Sequence, residues 1–358
     1  MNSAVAKMLK IWIPVVVVVI HLMLFSFILG KRSSSHEKPS PQPKETPVAA
    51  QEQPPVTEPS PNEPAPAVTV PEPVSQAPEQ QKLVPEITPF SPSYFTSDIR
   101  QLPAQLATLV QSCKAGIAVD LTSRKILWTR KADEAQPIAS ITKMMTVLEV
   151  GEFIDKSQGS LSLDTPVKVT VAASKIGGRQ VWLDPRETFT INELLKCTLI
   201  RSANDCAYLL AEFLGGTEQG FVQVMTNRAR ELGCQSFVFH NAHGLPTGNQ
   251  ENMGSPVEIA YLASILVNMP AITRWSSVKH DSIRENTKPF NLDSTNHLLG
   301  TCPGVNGMKT GFTNKAGYCL CATCERNSRR VVVIVLGCEK GTVRDNIARQ
   351  LIDWVYTL

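Results

Sequence analysis

The sequence lacks a clear excess of charge of either sign, since its net charge at pH 7 is only +3 over 358 residues. Basic and acidic residues are interspersed after residue 95 without a basic run or a basic–aromatic pattern, so we expect no nucleic-acid partner. No internal repeat is present, which excludes a repeat architecture. Paired C-x-x-C motifs of the kind that hold zinc are also missing, because Cys321–Cys324 stands alone. We therefore predict neither a metal site nor a cofactor.

Aromatic side chains are almost absent from residues 33–95, whereas 16 of the 26 prolines lie between Pro39 and Pro92. The rest of this stretch is mainly Glu, Gln, Ser, Ala and Val, which cannot bury enough apolar surface to offset the entropy of ordering. We interpret residues 33–95 as an extended spacer rich in polyproline II. The alternative, a loop within a folded domain, is disfavoured because unstructured loops of this length are rare in compact domains.

Residues 11–30 form a nearly continuous apolar stretch, broken only by His21 and Ser26, that is long enough to cross a bilayer core. Basic residues flank it on both sides, so the charge rule leaves its orientation open. No A-x-A-like site follows the apolar core, which favours an uncleaved anchor over a cleavable signal peptide. The sequence thus predicts three segments: a transmembrane anchor at 1–32, the spacer at 33–95 and a folded domain at 96–358.

All nine cysteines lie in the predicted folded domain, and their odd number argues against a complete disulfide framework. Several of them fall in apolar stretches, so we interpret most of them as small buried hydrophobic residues. One or two disulfides remain open at this stage.

Three short signatures occur in a fixed order in that domain: Ser140–Lys143 fits S-x-x-K, Ser202–Asn204 fits S-x-N, and Lys309–Gly311 is K-T-G. The first two patterns are weak alone, because both recur elsewhere in the chain, whereas K-T-G occurs once. Together the three supply a serine nucleophile, a lysine to deprotonate it, a polar relay and a strand edge that can hold an acyl substrate. The combination indicates acyl transfer.

Ser140 falls at the start of a predicted helix, where apolar residues begin to recur with a helical period. A spacing of three residues puts Lys143 on the same face, within reach of the serine. A serine hydroxyl needs a base, and lysine can serve only if burial or nearby positive charge lowers its pKa. The helix N-terminus adds positive potential and backbone N–H groups for a developing oxyanion. A plain helix N-cap remains the alternative role for Ser140.

Ser202 and Asn204 fall at a predicted junction between two helices, the first of which opens at the capping box Thr190–Glu193. A hydroxyl and an amide at such a junction can face a cleft, although capping of the second helix is an equally good interpretation. Lys309 is predicted to begin a strand that neighbours two further apolar strands. Gly311 in that strand would let a substrate backbone approach closely and pair with the strand edge.

Two other features have competing interpretations. His240 and His243 suggest a metal pair, but glycine and proline surround them and the Glu of H-E-x-x-H is missing, which favours a structural loop. Arg344, at the start of the last predicted helix, is either a solvated arginine or a clamp for a substrate carboxylate.

The residues around these signatures resemble a known family. Pro137–Thr146 resembles the nucleophile helix of the D-alanyl-D-alanine carboxypeptidases, which are low-molecular-mass penicillin-binding proteins of serine peptidase family S11 within the serine β-lactamase-like superfamily. Gly177–Val181 resembles the family's G-G-S-Q loop, with Arg179 in place of the commoner serine. Asn241–Leu245 resembles its N-x-H-G-L loop, and Gly304–Gly311 resembles its third motif.

This resemblance implies an α/β fold of the serine β-lactamase/DD-peptidase type: an antiparallel sheet flanked by helices, an inserted and mostly helical subdomain, and an active site between the two. It implies that Ser140 attacks the carbonyl of the penultimate D-alanine with Lys143 as base, while Ser202 relays protons or positions the substrate. It assigns the oxyanion hole to backbone N–H groups of Ser140 and Phe312. The other substrate-binding residues implied are Asn204, Lys309, Thr310, Gly311 and Arg344, the last of which falls where the family commonly binds the terminal carboxylate.

The function implied is removal of the terminal D-alanine from peptidoglycan stem peptides through an acyl-enzyme on Ser140, with β-lactams as inhibitors. We expect residues 1–32 to anchor the chain in a bacterial cytoplasmic membrane, with the catalytic domain on the extracytoplasmic side. A β-lactamase or a DD-endopeptidase on the same scaffold is the alternative, but the E-x-x-L-N segment with which class A β-lactamases activate water is missing. A TonB-like adaptor also combines an N-terminal anchor with such a spacer, but it needs no nucleophile and is the least favoured.

Overall fold

The computed structural model of the protein describes residues 82–358. The predicted anchor at residues 1–32 and the predicted spacer as far as residue 81 lie outside the described residues. Within residues 82–358 no single helix has the length and hydropathy of a membrane span, although two consecutive helices, Pro256–Leu266 and Pro270–Ser276, meet that test together with a bend of 110° between them.

The described part of the chain contains twelve strands and eight α-helices. In chain order the strands are β1 Thr96–Ser97, β2 Ala115–Asp120, β3 Lys125–Arg130, β4 Gln136–Pro137, β5 Pro166–Lys168, β6 Thr188–Thr190, β7 Met253–Gly254, β8 His280–Ile283, β9 Phe290–Asp293, β10 Val305–Thr313, β11 Gly317–Arg326 and β12 Arg329–Cys338. The helices are α1 Ala104–Leu109, α2 Lys143–Lys156, α3 Ile191–Ile200, α4 Asn204–Gly215, α5 Glu218–Glu231, α6 Pro256–Leu266, α7 Pro270–Ser276 and α8 Gly341–Val355. Short 3-10 turns cover Val110–Ser112, Ala139–Thr142 and Ala173–Lys175.

Six strands form the central sheet in the order β1-β3-β2-β12-β11-β10. Neighbouring strands pair antiparallel, except that the short β1 runs parallel to β3. The apolar run Val331–Leu336 of β12 is completely buried, because the strand lies inside the sheet and helices cover both of its faces.

Alternating side chains of the sheet divide between two apolar clusters, one on each face. Ile117 and Ile334 belong to the larger cluster, which α2 and α6 complete. Ala118 and Val333 belong to the cluster on the other face, which α1 and α8 complete. Successive side chains of a strand point to opposite faces, so a single apolar run serves both clusters. The prediction of an antiparallel sheet flanked by helices is confirmed.

A mostly helical region lies between β3 and β10, as predicted, and carries α2 to α7. Its helix α3 begins at the predicted capping box: Thr190 Oγ1 accepts the Glu193 N–H at 3.2 Å, and the Glu193 carboxylate accepts the Thr190 N–H at 2.8 Å. Helix α4 ends at Gly216, whose φ of 73° is a conformation that glycine adopts without a steric penalty.

Residues 82–95, which the composition assigned to the spacer, contact the folded domain. Asp155, near the C-terminal end of α2, accepts the backbone N–H groups of Leu83 and Val84, both at 2.8 Å. The side chain of Phe95 is only 4% exposed and belongs to the larger apolar cluster. The prediction from composition missed these contacts because it treated residues 33–95 as one proline-rich stretch, although the last residues of that stretch are apolar and aromatic. The folded part therefore begins before the predicted boundary.

The nine cysteines all lie within the described residues, and all are buried free thiols. Burial raises the pKa of the Cys319 thiol to about 11 and that of Cys338 to about 12, so both stay protonated near neutral pH. They act as small buried hydrophobic residues, as predicted, and none of the disulfides that the sequence left open is formed.

Candidate active site

Ser140 lies in the 3-10 turn Ala139–Thr142, directly before α2. Its hydroxyl donates to the main-chain oxygen of His243 at 3.4 Å and accepts from Lys143 Nζ at 3.1 Å. It caps neither the turn nor the helix. The interpretation of Ser140 as a plain N-cap is therefore wrong, and the hydroxyl is available to a neighbouring amine.

Two glycines let neighbouring segments close on the turn that carries Ser140. A Cβ added to Gly311 of β10 would lie 2.6 Å from Ile138 O, and one added to Gly244 would lie 2.1 Å from Ala139 O. Neither distance is compatible with a side chain, so each glycine is required for this close approach. The sequence explained Gly311 by the approach of a substrate backbone, whereas the structure shows that the nucleophile turn itself occupies that space.

Lys143, the first residue of α2, is completely buried beside the serine. Its Nζ donates to His243 O at 2.6 Å, to Asn204 Oδ1 at 2.7 Å and to Ser140 Oγ at 3.1 Å. Burial lowers the pKa of Lys143 to about 7, although the charge of Asp205 opposes this shift. A neutral amine has two N–H groups, which the two shorter bonds use, and its lone pair then faces the Ser140 hydroxyl. The amine is thus arranged to accept the serine proton.

Ser202 and Lys309 form a second hydroxyl–amine pair in the same cleft. Ser202 precedes α4 in a left-handed conformation, with φ of 63°, and its Oγ accepts from Lys309 Nζ at 2.8 Å. Lys309 was predicted to begin a strand, but it lies within β10, which begins at Val305; it is 1% exposed. Burial lowers the pKa of Lys309 well below its usual value, and the positive charges of Lys143, Arg179 and Arg344 add to this shift. The pair can pass a proton or hold a substrate oxygen.

Asn204 connects the nucleophile to the loop at residues 177–183. Its Oδ1 accepts from Lys143, and its Nδ2 donates to Gly177 O at 3.0 Å. The N-cap of α4 is the residue before it and makes no side-chain bond, so neither Asn204 nor Ser202 caps this helix. The capping interpretation of the pair is wrong, and both side chains face the cleft.

The predicted substrate-binding residues meet in one cleft of about 500 Å³. Its lining includes Ser140, Ser202, Asn204, Thr310, Gly311, Phe312 and Arg344, and the buried amines of Lys143 and Lys309 lie directly behind this lining. Thr310 Oγ1 shares a hydrogen bond of 2.5 Å with Thr295 Oγ1. The half-exposed Phe312 ring packs on Tyr318, with 4.4 Å between ring centroids. The structure thus brings together every residue that the sequence placed at the site, while their individual roles stay predictions.

Arg344 is a buried residue of the cleft wall, since only 4% of it is exposed. Its Nε and Nη2 donate to Asp345 Oδ1 at 2.8 and 2.6 Å, and its Nη1 donates to Cys319 O at 3.4 Å. The interpretation as a solvated surface arginine is therefore wrong. A guanidinium held in this way at a cleft wall suits a substrate carboxylate.

The loop at residues 241–245 provides a contact that sequence reasoning missed, the main-chain oxygen of His243. Its imidazole Nδ1 accepts the Leu245 N–H at 3.2 Å, so Nε2 carries the proton and lies 3.3 Å from Glu218 Oε1. Burial, together with the charge of Lys143, lowers the pKa of His243 to about 3, and the ring stays neutral. Within residues 82–358 no group of three or more potential metal ligands occurs.

Asn252 is a second residue that the sequence analysis missed. Its Nδ2 donates to Thr142 Oγ1 and to Asn241 O, both at 2.9 Å, and Thr142 Oγ1 in turn donates to Ala139 O at 2.7 Å. This amide therefore joins the nucleophile turn to the loop that carries His243. No motif surrounds Asn252, so only the fold reveals its position.

A buried serine–lysine pair, backed by a second lysine and placed between a sheet edge and a helical subdomain, defines a serine acyl-transfer enzyme of the penicillin-binding type. Residues 104–340 match the model of peptidase family S11, the D-alanyl-D-alanine carboxypeptidases. The chain belongs to this family, as its motifs predicted.

Relatives and solved structures agree with this assignment. The chain is 33% identical to D-alanyl-D-alanine carboxypeptidase DacF of Bacillus subtilis over 75% of this chain and 67% of that protein. It is 29% identical to D-alanyl-D-alanine carboxypeptidase DacC of Escherichia coli over 67% of this chain, but that match spans only 60% of the relative. Penicillin-binding protein D2 of Listeria monocytogenes, solved in its ampicillin-bound form, superposes with a TM-score of 0.61 at 29% identity, covering 68% of this chain and 97% of that one.

One similar protein has a different name. A D-alanyl-D-alanine endopeptidase of Haemophilus influenzae is 29% identical over 56% of this chain and 67% of its own length. Membership of the family therefore leaves open which amide bond is cleaved.

Proposed function

We propose that the protein removes the terminal D-alanine from peptidoglycan stem peptides through an acyl-enzyme on Ser140. The observation that carries this proposal is the arrangement of Lys143, whose two shortest hydrogen bonds leave its lone pair for the serine hydroxyl. The names of the relatives supply the substrate class, a peptide that ends in D-Ala-D-Ala.

In the acylation step, Ser140 Oγ forms a bond to the carbonyl carbon of the penultimate D-alanine while its proton moves to Lys143 Nζ. The oxyanion of the tetrahedral intermediate accepts hydrogen bonds from the backbone N–H groups of Ser140 and Phe312. The C–N bond then breaks, and the proton that Lys143 accepted passes through the Ser202–Lys309 pair to the leaving amine, which returns Lys143 to its neutral form. Free D-alanine departs with its carboxylate directed to Arg344.

In the second step, water attacks the ester carbonyl and gives its proton to the neutral Lys143 amine. The bond to Ser140 Oγ breaks, the serine regains a proton, and the shortened stem peptide leaves. The overall reaction consumes one water and releases one D-alanine for each peptide cleaved.

The direct test is release of free D-alanine from a synthetic peptide that ends in D-Ala-D-Ala. The wild type is expected to release it, and Ser140→Ala is expected to release none. Ser276→Ala is a matched control, because Ser276 and Lys279 also fit S-x-x-K but Ser276 bonds to main-chain oxygens away from the cleft. Equal release by the wild type and Ser140→Ala would contradict the proposal.

The endopeptidase alternative uses the same acyl-enzyme with a different leaving amine, and the name of the Haemophilus influenzae relative favours including it. A cross-linked peptide dimer distinguishes the two, since an endopeptidase separates it into monomers without releasing D-alanine. A fluorescent penicillin tests the β-lactamase alternative: a label on Ser140 that lasts minutes supports the peptidase, and rapid loss of the label supports the β-lactamase.

We further propose that residues 1–32 anchor the protein in the bacterial cytoplasmic membrane with the catalytic domain outside. The apolar stretch at residues 11–30 and the proline-rich stretch after it support this proposal. The full chain is expected in the membrane fraction after a high-salt wash, and a chain without residues 1–32 in the soluble fraction.

Loss of penicillin labelling in Ser140→Ala would also eliminate a purely TonB-like adaptor role.

A further inference from the structure

Two arginines of the cleft, Arg179 and Arg201, have no acidic partner in the described part of the chain. Both line the cleft together with Ser140. Neither guanidinium takes part in any of the salt bridges or side-chain hydrogen bonds formed within residues 82–358. The Nε–H of Arg201 is buried without any acceptor, which leaves a strong donor unsatisfied. The third arginine of the cleft, Arg344, differs because Asp345 holds it.

Contacts next to the catalytic residues hold the side chain of Arg201 and the main chain of Arg179, whose own side chain is exposed. Arg201 directly precedes Ser202 and stacks its guanidinium over the Phe290 ring, 6.0 Å from the centroid. The main-chain oxygen of Arg179 accepts the Asn204 N–H at 2.7 Å. Each arginine is thus attached directly to a residue of the predicted catalytic or substrate-binding set.

Two like charges in one wall repel each other unless an anion joins them. Both arginines line the same cleft, and the charge of Arg201 adds to burial in lowering the pKa of Arg179. The carboxylate present in the cleft lining is that of Asp293, and it is bound to His280 Nδ1 at 2.8 Å. Within residues 82–358 the cleft lining thus offers the pair no unbound carboxylate, which leaves this position open to an anion of the ligand.

We propose that Arg179 and Arg201 together bind a carboxylate in the acyl part of the substrate, distinct from the terminal carboxylate assigned to Arg344. This inference rests on the proposed function, and it assigns the substrate class more narrowly: stem peptides that carry an acidic side chain before D-Ala-D-Ala. The leaving D-alanine has one carboxylate, which Arg344 takes, so a second anion belongs to the part that is transferred to Ser140. Guanidinium groups match the planar carboxylate through paired N–H donors.

The test compares two peptides that end in D-Ala-D-Ala and differ only in having Glu or Gln immediately before it. For the wild type we expect kcat/KM about tenfold higher for the Glu peptide, as charge-assisted bonds to one carboxylate imply. Arg179→Gln and Arg201→Gln should each reduce the ratio of the Glu-peptide to the Gln-peptide kcat/KM, and the double variant should bring this ratio to about one. Arg186→Gln is the matched control, because Arg186 is an exposed arginine that pairs with Asp184 outside the cleft.

A wild-type ratio near one, or a ratio that the double variant leaves unchanged, would overturn the inference. A pair of penicillins that differ only in a side-chain carboxylate provides a second readout that does not depend on peptide cleavage. The carboxylated penicillin should acylate the wild type faster, and the double variant should lose this difference. If neither peptide is cleaved but the penicillin preference is present, the proposed function fails and the anion site stands. If both peptides are cleaved equally, the proposed function stands and the inference fails.

Discussion

Helix α2 buries three titratable residues, and two of them, Lys143 in its first turn and Glu149 near its middle, have opposite surroundings. Lys143 is completely buried, and three oxygen acceptors surround its amine. Glu149 is 1% exposed, and its Oε1 is buried without any hydrogen-bond donor. Burial lowers the pKa of Lys143 to about 7 and raises that of Glu149 to about 8, so both shift toward the neutral form.

The comparison shows that a displaced pKa does not by itself identify a catalytic group. What distinguishes Lys143 is the set of acceptors fixed around it and its distance of 3.1 Å from a nucleophile. Glu149 has no such set, and Glu152 on the same helix raises its pKa further. Its burial therefore reduces stability without serving the cleft.

The largest effect should follow from Lys143→Ala, which removes the base. We expect the rate constant for acylation of Ser140 by penicillin to fall by about a thousandfold or more. Glu149→Gln, on the same helix, should leave that rate within about twofold, because Glu149 touches neither Ser140 nor the cleft. Stopped-flow or gel-based labelling measures both rates, and a similar loss in the two variants would contradict the comparison.

Gly311→Ala should lower the acylation rate by about a hundredfold, because a Cβ there would displace the nucleophile turn through its contact with Ile138 O. Gly177→Ala is the control, since a Cβ at that position meets nothing within 4 Å. Circular dichroism should show both variants folded. Normal acylation of Gly311→Ala would mean that the turn can move without consequence.

The acylation rate should rise about tenfold per pH unit at acid pH and level off above pH 7, where Lys143 becomes neutral. The same group affects stability with a definite sign. Its folded-state pKa of about 7 lies below its ordinary value of 10.5, so the unfolded chain binds the proton more tightly and stability rises with pH between these two values. A flat rate profile between pH 5 and pH 7 would exclude Lys143 as the base.

Glu149→Gln should have the smallest effect, and only on stability. Folding raises the pKa of Glu149 from 4.5 to about 8, so the folded state binds this proton more tightly than the unfolded chain. The stability that this provides is fully present below pH 4.5 and is lost as pH rises toward 8. The difference in free energy of unfolding between the variant and the wild type should be about 1–3 kcal/mol more favourable to the variant at pH 8 than at pH 5. Urea titrations at the two pH values measure this difference, and an equal change at both would show that Glu149 is not the titrating group.

The sequence predicted those parts of the site that depend on local spacing. Ser140 and Lys143 are three residues apart, and the capping box at Thr190 fixes the start of α3, so neighbours along the chain sufficed. K-T-G also indicated a strand, although it could not locate Lys309 within β10.

Other parts could not be predicted, because they depend on contacts between distant segments. Lys309 reaches Ser202 across 107 positions of the chain, and only the folded sheet sets that distance. The acceptor that His243 offers to Lys143 is a main-chain oxygen, which every residue possesses and no motif distinguishes. Whether Ser202 caps α4 or faces the cleft likewise could not be predicted without the position of Lys309.

The contacts of residues 82–95 have a mechanical consequence. Tension applied to the chain before residue 82 would reach the two bonds at Asp155 first, about 18 Å along α2 from Lys143 at 1.5 Å per residue. The contacts at Asp155 thereby separate Ser140 from strain that is applied at residue 82. Detaching residues 82–95 from the domain would lengthen the extended chain by about 45 Å.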